Sequence, residues 1–175
     1  MVAPTPKAVR SAADEDAHIQ QYLTFMLGGE MFAISILAIK EIIEYSTLTE
    51  VPMMPASVRG VINLRGAVVP VADLAVRFGR AAGAVTKRTC IVIVETTANE
   101  GRQDVGVVVD AVNEVLDIPT ADIEPPPTFG TRIRTDFIQG MGKVNNKFVI
   151  LLDVNHVLAL DELADVVEAA EAQTV

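Results

Sequence analysis

The feature that most constrains the fold is an internal repeat. Residues 58–74 read VRGVINLRGAVVPVADL and residues 138–154 read IQGMGKVNNKFVILLDV, and the two segments align without a gap at an offset of 80. Gly60 falls on Gly140, and apolar residues match along both arms. Such a repeat indicates an architecture built from similar units. We therefore expect a fold with two equivalent halves.

A two-residue turn lies at the centre of each repeated segment. Arg65-Gly66 in the first segment aligns with Asn145-Asn146 in the second. Gly and Asn tolerate the positive φ that two-residue hairpin turns require. We therefore predict a β-hairpin in each segment, with a type I′ turn at Asn145-Asn146.

A second correspondence precedes each hairpin. Ala38–Glu44 (AIKEIIE) matches Ala111–Asp117 (AVNEVLD) at an offset of 73. Each is preceded in turn by a pair of apolar runs with a turn or loop between them. These runs are Gln21–Leu27 with Met31–Ile36, and Cys90–Val94 with Val105–Val109. No long crossover helix separates the strands, so the pattern predicts an all-β fold of two similar five-stranded β-barrels packed together.

These patterns divide the chain into four segments. We expect a disordered tail over 1–18, a first barrel half over 19–84, a second barrel half over 85–160, and an acidic C-terminal helix or tail over 161–175. The last segment carries five of the nine net negative charges. Its apolar residues recur at helical spacing, which favours a short amphipathic helix.

The sequence contains no catalytic or metal-binding motif. A zinc site needs about four clustered N, S or O ligands, whereas Cys90, His18 and His156 lie far apart. We expect His156 to be a partly buried packing residue. Asp73 and Asp153 are repeat equivalents that follow apolar strands, so a structural role such as capping the following turn explains them better than paired catalysis. We predict a protein without enzymatic activity and without a cofactor.

Charge and hydropathy narrow the class of partner. The segment between the tails is nearly neutral, which argues against nucleic acid. Basic residues in the middle of the chain form either a solvated loop face or a small patch for an acidic protein partner; they are Arg59, Arg65, Arg77, Arg80, Lys87 and Arg88. The apolar runs are too short to span a bilayer. With no signal peptide and a single cysteine, we expect a cytoplasmic protein that does not insert into the membrane.

With these residues laid out, the chain resembles the CheW family of bacterial chemotaxis coupling proteins. The segments that carry the resemblance are Tyr22–Glu44, Pro55–Leu74, Gly106–Ile118 and Phe137–Val154, and the most specific element is GVINLRG at Gly60–Gly66. The resemblance implies that the two barrels are SH3-like. It also implies a free-standing adaptor that couples methyl-accepting chemoreceptors to the histidine kinase CheA.

The resemblance further implies where the partners bind. The cytoplasmic tip of the receptor would contact the first barrel and the groove between the barrels, through Ile39, Glu41, Ile42, Gly60, Asn63, Leu64, Arg65, Gly66 and Val112. The regulatory domain of the kinase would bind mainly the second barrel, near Gly106 and Gly140. Contacts with copies or paralogues of the chain would occur within receptor arrays at the inner face of the membrane.

Two other functions are compatible with parts of this pattern. A CheW-like adaptor could serve a chemosensory kinase array that does not control chemotaxis. A hydrolase or nucleic-acid-binding barrel is the alternative from a different class. Turnover by the isolated protein, or nanomolar binding of nucleic acid at physiological salt, would identify the latter.

Overall fold

The computed structural model describes residues 19–53, 55, 57–81, 83–97, 101–126 and 137–158, and it shows an all-β fold with two sheets. The predicted N-terminal tail and C-terminal helix lie outside the described residues. The strands are β1 (Ile19–Leu27), β2 (Glu30–Ser35), β3 (Ile39–Glu44), β4 (Val58–Leu64), β5 (Ala67–Asp73), β6 (Cys90–Thr96), β7 (Gln103–Val109), β8 (Ala111–Pro119), β9 (Ile123–Glu124), β10 (Ile138–Val144) and β11 (Lys147–Leu152). Short helices α1 (Leu74–Arg77) and α2 (Val154–Val157) follow β5 and β11, and 3₁₀ turns occupy Ile36–Ala38 and Thr120–Asp122.

The predicted hairpins are confirmed. Strand β1 pairs with β2, β4 with β5, β6 with β7, and β10 with β11, all antiparallel. The β4–β5 turn has φ of +53° at Arg65 and +86° at Gly66, and the β10–β11 turn has φ of +51° at Asn145 and +63° at Asn146. Positive φ at both central residues is what a type I′ turn requires.

The sheets are not divided as the sequence halves are. One sheet has the order β3-β6-β7-β5-β4, and we call it, with α1, the first barrel. The other has the order β8-β1-β2-β11-β10-β9, and we call it, with α2, the second barrel. Each half therefore gives its leading hairpin to the barrel of the other half. A boundary at residue 84 separates the repeats but does not separate the barrels.

The exchange follows the repeat in register. Val71 of β5 pairs in parallel with Gly106 of β7, and Leu151 of β11 pairs in parallel with Ala33 of β2. Val71 matches Leu151 at the offset of 80, and Ala33 matches Gly106 at the offset of 73, so the two pairs are equivalent. Parallel pairing needs strands from distant parts of the chain, since a tight turn joins only antiparallel neighbours. The two parallel pairs are therefore where the halves interlock.

Each sheet closes because the chain leaving one edge strand returns to the other edge. In the first barrel Thr49, which follows β3, bridges Val61 of β4. In the second barrel β9, which follows β8, pairs with β10. The repeated glycines stand at these closures. A Cβ at Gly60 would lie 2.6 Å from the Thr49 carbonyl oxygen, and one at Gly140 would lie 2.5 Å from Ile123 Cγ2 and 3.0 Å from the Glu124 carbonyl oxygen.

The core has three layers. The largest cluster lies between the barrels and contains side chains from both sheets, including Phe25, Phe32 and Val94. A second cluster, including Ile91 and Ile93, fills the first barrel, and a third cluster fills the second barrel. Strand β6 contributes to two layers, because its successive residues point alternately into the barrel interior and into the central layer. Strands buried on both faces explain the near-continuous apolar runs in the sequence.

The predicted capping role of the two repeated aspartates is confirmed. The Asp73 carboxylate accepts a hydrogen bond from the Val76 amide at the start of α1, and the Asp153 carboxylate accepts one from the His156 amide at the start of α2. Side-chain oxygens at this position satisfy amides that have no partner within the helix. Among the described residues, no helix has the length and apolar character needed to cross a membrane.

Candidate protein-interaction surfaces

An ion pair spans the seam of the first barrel. Arg65, in the β4–β5 turn, donates two parallel hydrogen bonds to Glu41 of β3, with Nη1–Oε1 at 2.6 Å and Nη2–Oε2 at 2.9 Å. These hydrogen bonds hold the pKa of Glu41 below its ordinary value and raise the pKa of Arg65. The Arg65 side chain remains 73% exposed. A forked guanidinium at this position can therefore bind both Glu41 and an incoming partner.

The remaining residues predicted to face the receptor fall into two groups. Asn63 supports the turn, since its side-chain oxygen accepts a hydrogen bond from the Gly66 amide at 2.9 Å, and Leu64 packs against the core of the first barrel. A bulge between Ile39 and Glu41 shifts the register of β3, so that Ile39 and Ile42 pair with Val94 and Val92. Because Val92 and Val94 face the second barrel, Ile39 and Ile42 lie on that side too.

These positions place apolar surface beside the junction of the barrels. Ile42 is 43% exposed. Ile39 and its repeat equivalent Val112 are partly buried against the central layer. Gly60 is buried at the closure of the first barrel, where its lack of a side chain has a structural role. The structure thus groups Glu41 with Arg65 at the seam, and Ile39 with Ile42 on the face toward the second barrel.

More charged groups surround the mouth of the first barrel, the end at which Arg65 lies. Lys40 pairs with Asp104 at 3.1 Å and lies 3.9 Å from Glu95. Glu95 and Asp104 face each other across β6 and β7. Together with the Arg65–Glu41 pair, these residues form a network of ion pairs around the mouth.

The mouth of the second barrel is an apolar cleft. Met26 and Met31, which face each other across β1 and β2, occupy the places of Glu95 and Asp104. The cleft has a volume of about 660 Å³, and its further lining includes Glu114, Leu116, Met141, Asn145 and Phe148. Met31 is 37% exposed and Phe148 is 51% exposed. Exposed methionine and aromatic surface of this kind is typical of sites that bind protein partners.

The two glycines predicted to contact the kinase are buried. Gly106 lies in the first barrel, where an added Cβ would approach Ile91 Cγ2 to 2.8 Å and Val71 Cγ2 to 3.2 Å. Gly140 lies at the closure of the second barrel. Both glycines permit close packing inside the barrels.

The sequence reasoning missed the apolar cleft. The available signal was weak, namely large apolar residues at the outward positions of strands, such as Phe148 beside the turn. The expectation for His156 was wrong, because its side chain is 61% exposed and its Nδ1 lies 2.8 Å from the Asp153 carboxylate. The described residues contain no group of three or more His, Cys, Asp or Glu side chains placed to hold a metal ion.

Comparisons with known proteins agree with this architecture. Residues 21–162 match the family model of the CheW-like domain. The chain is 34% identical to the chemotaxis protein CheW of Klebsiella aerogenes, over 87% of this chain and 90% of the relative. It is also 34% identical to the chemotaxis protein CheW of Bacillus subtilis, over 79% of this chain and 86% of the relative.

A solved structure supports the same assignment. The crystal structure of the scaffolding protein TtCheW from Thermoanaerobacter tengcongensis superposes with a TM-score of 0.73 and 34% sequence identity, covering 81% of this chain and 89% of that one. The matched family residues include both repeats, the seam ion pair and the apolar cleft. The chain therefore belongs to the CheW-like domain family, as a chemotaxis coupling adaptor.

Proposed function

We propose that this protein works in the cytoplasm as a non-enzymatic coupler between the tip of methyl-accepting chemoreceptors and the regulatory domain of a CheA-type histidine kinase. The observation that carries the proposal is the contrast between the two mouths. The first presents the Arg65–Glu41 ion pair beside the apolar side chains of Ile39 and Ile42, and the second presents an apolar cleft. Two surfaces of different chemistry suit two different partners.

The receptor is proposed to bind the first barrel. Arg65 offers a largely exposed guanidinium, and Ile42 offers apolar surface on the side that faces the second barrel. A helical receptor tip could place apolar residues along Ile39 and Ile42 and a carboxylate or carbonyl near Arg65. Arginine is among the residues that carry most of the binding energy in protein interfaces.

The kinase is proposed to bind the apolar cleft of the second barrel. Phe148 projects at its rim, and Met31 supplies a flexible apolar wall. Methionine side chains adapt to the shape of a partner because they are unbranched and polarizable. The proposal assigns the cleft to the kinase rather than to Gly106 and Gly140, since those glycines support the barrels from within.

Coupling then follows from binding both partners at once. A ligand shifts a conformational equilibrium only when it binds the two states with different affinities. An adaptor that contacts the receptor on one barrel and the kinase on the other can pass such a difference between them, and the coupling is reciprocal. No chemical step by the adaptor is needed.

Two matched variants test the assignment. Arg65→Glu should weaken binding of a receptor-tip fragment about thirtyfold, which is a typical penalty for losing a charge-assisted contact and adding a wrong charge. Its binding to the kinase regulatory domain should stay within about twofold. Phe148→Ala should do the reverse, weakening the kinase about tenfold or more while sparing the receptor. Both affinities can be measured by calorimetry, with the melting temperature as a check on folding.

The two variants control for each other. A variant that loses both partners and also melts early reports a folding defect rather than a binding site. Loss of the receptor from Phe148→Ala, or of the kinase from Arg65→Glu, would reverse the assignment of the mouths. Wild-type protein that retains neither partner in a pull-down would reject the coupling function. Swimming cells that carry Arg65→Glu should fail to follow gradients, and normal swimming responses would favour a non-chemotactic array.

A further inference from the structure

We infer that Arg77 is a positioning residue that fixes the orientation of the two barrels and so carries the coupling between their mouths. The second part of this inference rests on the proposed function. Arg77 ends α1 of the first barrel. It takes no part in either of the binding surfaces described above.

The contacts of Arg77 cross from one barrel to the other. Its Nε donates a hydrogen bond to the Val157 carbonyl oxygen of α2 at 3.1 Å, and its guanidinium carbon lies 4.8 Å from the centroid of the Phe137 ring. Val157 lies in α2 of the second barrel, and Phe137 directly precedes β10 of the same barrel. A half-buried guanidinium over an aromatic face contributes about 0.5–2 kcal/mol in other proteins.

The position of this contact is set by the repeat. Arg77 and Val157 are equivalent residues at the offset of 80. A contact between two equivalent positions must lie near the axis that relates the two barrels. Since the second member of the pair is valine, only the first barrel contributes a cation. At this position the first barrel therefore contributes a charged side chain and the second barrel a backbone carbonyl oxygen.

Apolar packing surrounds this polar link. Next to Arg77, the Phe78 ring stacks 5.5 Å from Phe32 and lies 6.1 Å from Phe137. Burial of such surface is favourable but non-directional. Hydrogen bonds depend on distance and angle, so a link on the axis selects one relative orientation. Polar contacts farther along the interface, such as Thr96 with Asn155 at 2.8 Å, then add to it.

The first experiment tests orientation in the isolated protein. Spin labels are attached to Ala67→Cys and Lys147→Cys, which are equivalent exposed positions after the two hairpin turns, in a Cys90→Ser background. Adding Arg77→Leu should broaden the distribution of inter-label distances, whereas Arg77→Lys should broaden it less because the cation remains. A distribution as narrow with Arg77→Leu as with Arg77 would overturn the inference, whatever partners the protein binds.

The second experiment tests coupling. The affinity of a receptor-tip fragment is measured with and without saturating kinase regulatory domain, and the ratio gives the coupling, which is typically about 5–150-fold where two sites interact. Arg77→Leu should bring this ratio close to one while each separate affinity changes by less than about twofold. Arg80→Gln is the matched control, because Arg80 pairs with Glu30 across the barrels but away from equivalent positions. Its separate kinase affinity is measured as well and must stay within about twofold, since Glu30 lines the apolar cleft.

The outcomes separate the inference from the function on which it rests. If wild-type protein binds neither partner, the proposed function fails, and the spin-label result alone decides the positioning role. If wild-type coupling is present and survives Arg77→Leu unchanged, the role in coupling is wrong. An equal loss from Arg80→Gln would show that general interface polarity, rather than the contact at the axis, carries the coupling.

Discussion

The two mouths of the molecule show how one backbone design supports two different surfaces. In the first barrel the edges of the sheet are joined by Arg65 and Glu41, and acidic residues face Lys40 beside them. In the second barrel asparagine stands at the place of Arg65, and methionines stand at the places of the acidic residues. Both mouths are built on equivalent hairpins, β4–β5 with β6–β7 in the first barrel and β10–β11 with β1–β2 in the second. Surface chemistry has diverged where the sheet does not constrain it.

A second contrast lies beneath the surface, at the two capping aspartates. Asp73 has a side chain only 2% exposed, and it accepts a hydrogen bond from Arg59 Nε at 2.7 Å. Arg59 also donates to the Tyr45 hydroxyl and to the Gly83 carbonyl oxygen, tying the linker between the repeats to the first barrel. Asp153 is 33% exposed. Equivalent residues therefore share a cap but differ in burial.

This contrast gives the largest expected effect. Asp73→Ala should lower the free energy of unfolding by about 3–5 kcal/mol, because it leaves the Arg59 charge partly buried without its carboxylate. Asp153→Ala should cost only about 1 kcal/mol, the usual value of a lost helix cap. Urea denaturation of both variants measures the difference. Equal costs would show that the Arg59 pair adds nothing beyond the cap.

Substituting the two closure glycines should destabilise the protein by different amounts, and this difference is smaller than that for the aspartates. Gly60→Ala should destabilise the protein by about 2–3 kcal/mol, because the clashing Thr49 carbonyl oxygen is held by a hydrogen bond from the Val61 amide at 2.8 Å and cannot easily recede. Gly140→Ala should cost about 1 kcal/mol, since Ile123 of the two-residue β9 has more freedom to shift. Thermal melts of the pair give the comparison, and a costlier Gly140→Ala would reverse this ranking of the two closures.

The turns provide a finer comparison. Asn146→Gly should leave stability nearly unchanged, since it recreates the residue at the matching place in the first barrel and glycine accepts positive φ. Asn146→Val should cost about 1 kcal/mol or more, because a β-branched residue resists that conformation. Melting temperatures suffice to compare them. If both variants melt together, the left-handed geometry of this turn is not limiting.

The smallest effect concerns the seam ion pair. Arg65→Gln should raise the pKa of Glu41 toward the ordinary glutamate value of about 4.3, because it removes the hydrogen bonds that favour the carboxylate. The depressed pKa means that the pair is fully formed above that value and is lost as the pH falls through the folded-state pKa. Carboxyl NMR titration follows Glu41 directly. An unchanged titration would mean that Arg65 does not hold this carboxylate in solution.

The sequence predicted the local features of the fold because their causes are local. Asn145-Asn146 indicated positive φ, Asp73 and Asp153 indicated capping of the turns that follow them, and the alignment of Gly60 with Gly140 indicated equivalent units. The exchange of hairpins could not be predicted this way. A period of two identifies a strand and its buried faces, but it does not say which distant strand lies beside it.

The binding surfaces were predictable to a lesser degree. The resemblance to the family located Glu41, Ile42 and Arg65, but no local pattern showed that Arg65 reaches across the seam to Glu41. The apolar cleft was not predicted because its walls come from two hairpins, β1–β2 and β10–β11, and from strand β8. Its residues become neighbours only after the barrel closes. The periodicity within any single segment therefore does not predict that they line one cleft.

The exchanged hairpins also bear on how such a protein could arise. In this arrangement the leading hairpin of one repeat and the strands that follow it lie in different barrels. Two copies of a chain with a single repeat could complete both barrels by exchanging their leading hairpins, which would give a symmetric dimer with an interlocked core. The segment that joins α1 to β6 makes the same exchange possible within one polypeptide. Tandem duplication then frees each copy of the mouth to evolve alone, which an obligate pair of identical chains cannot do.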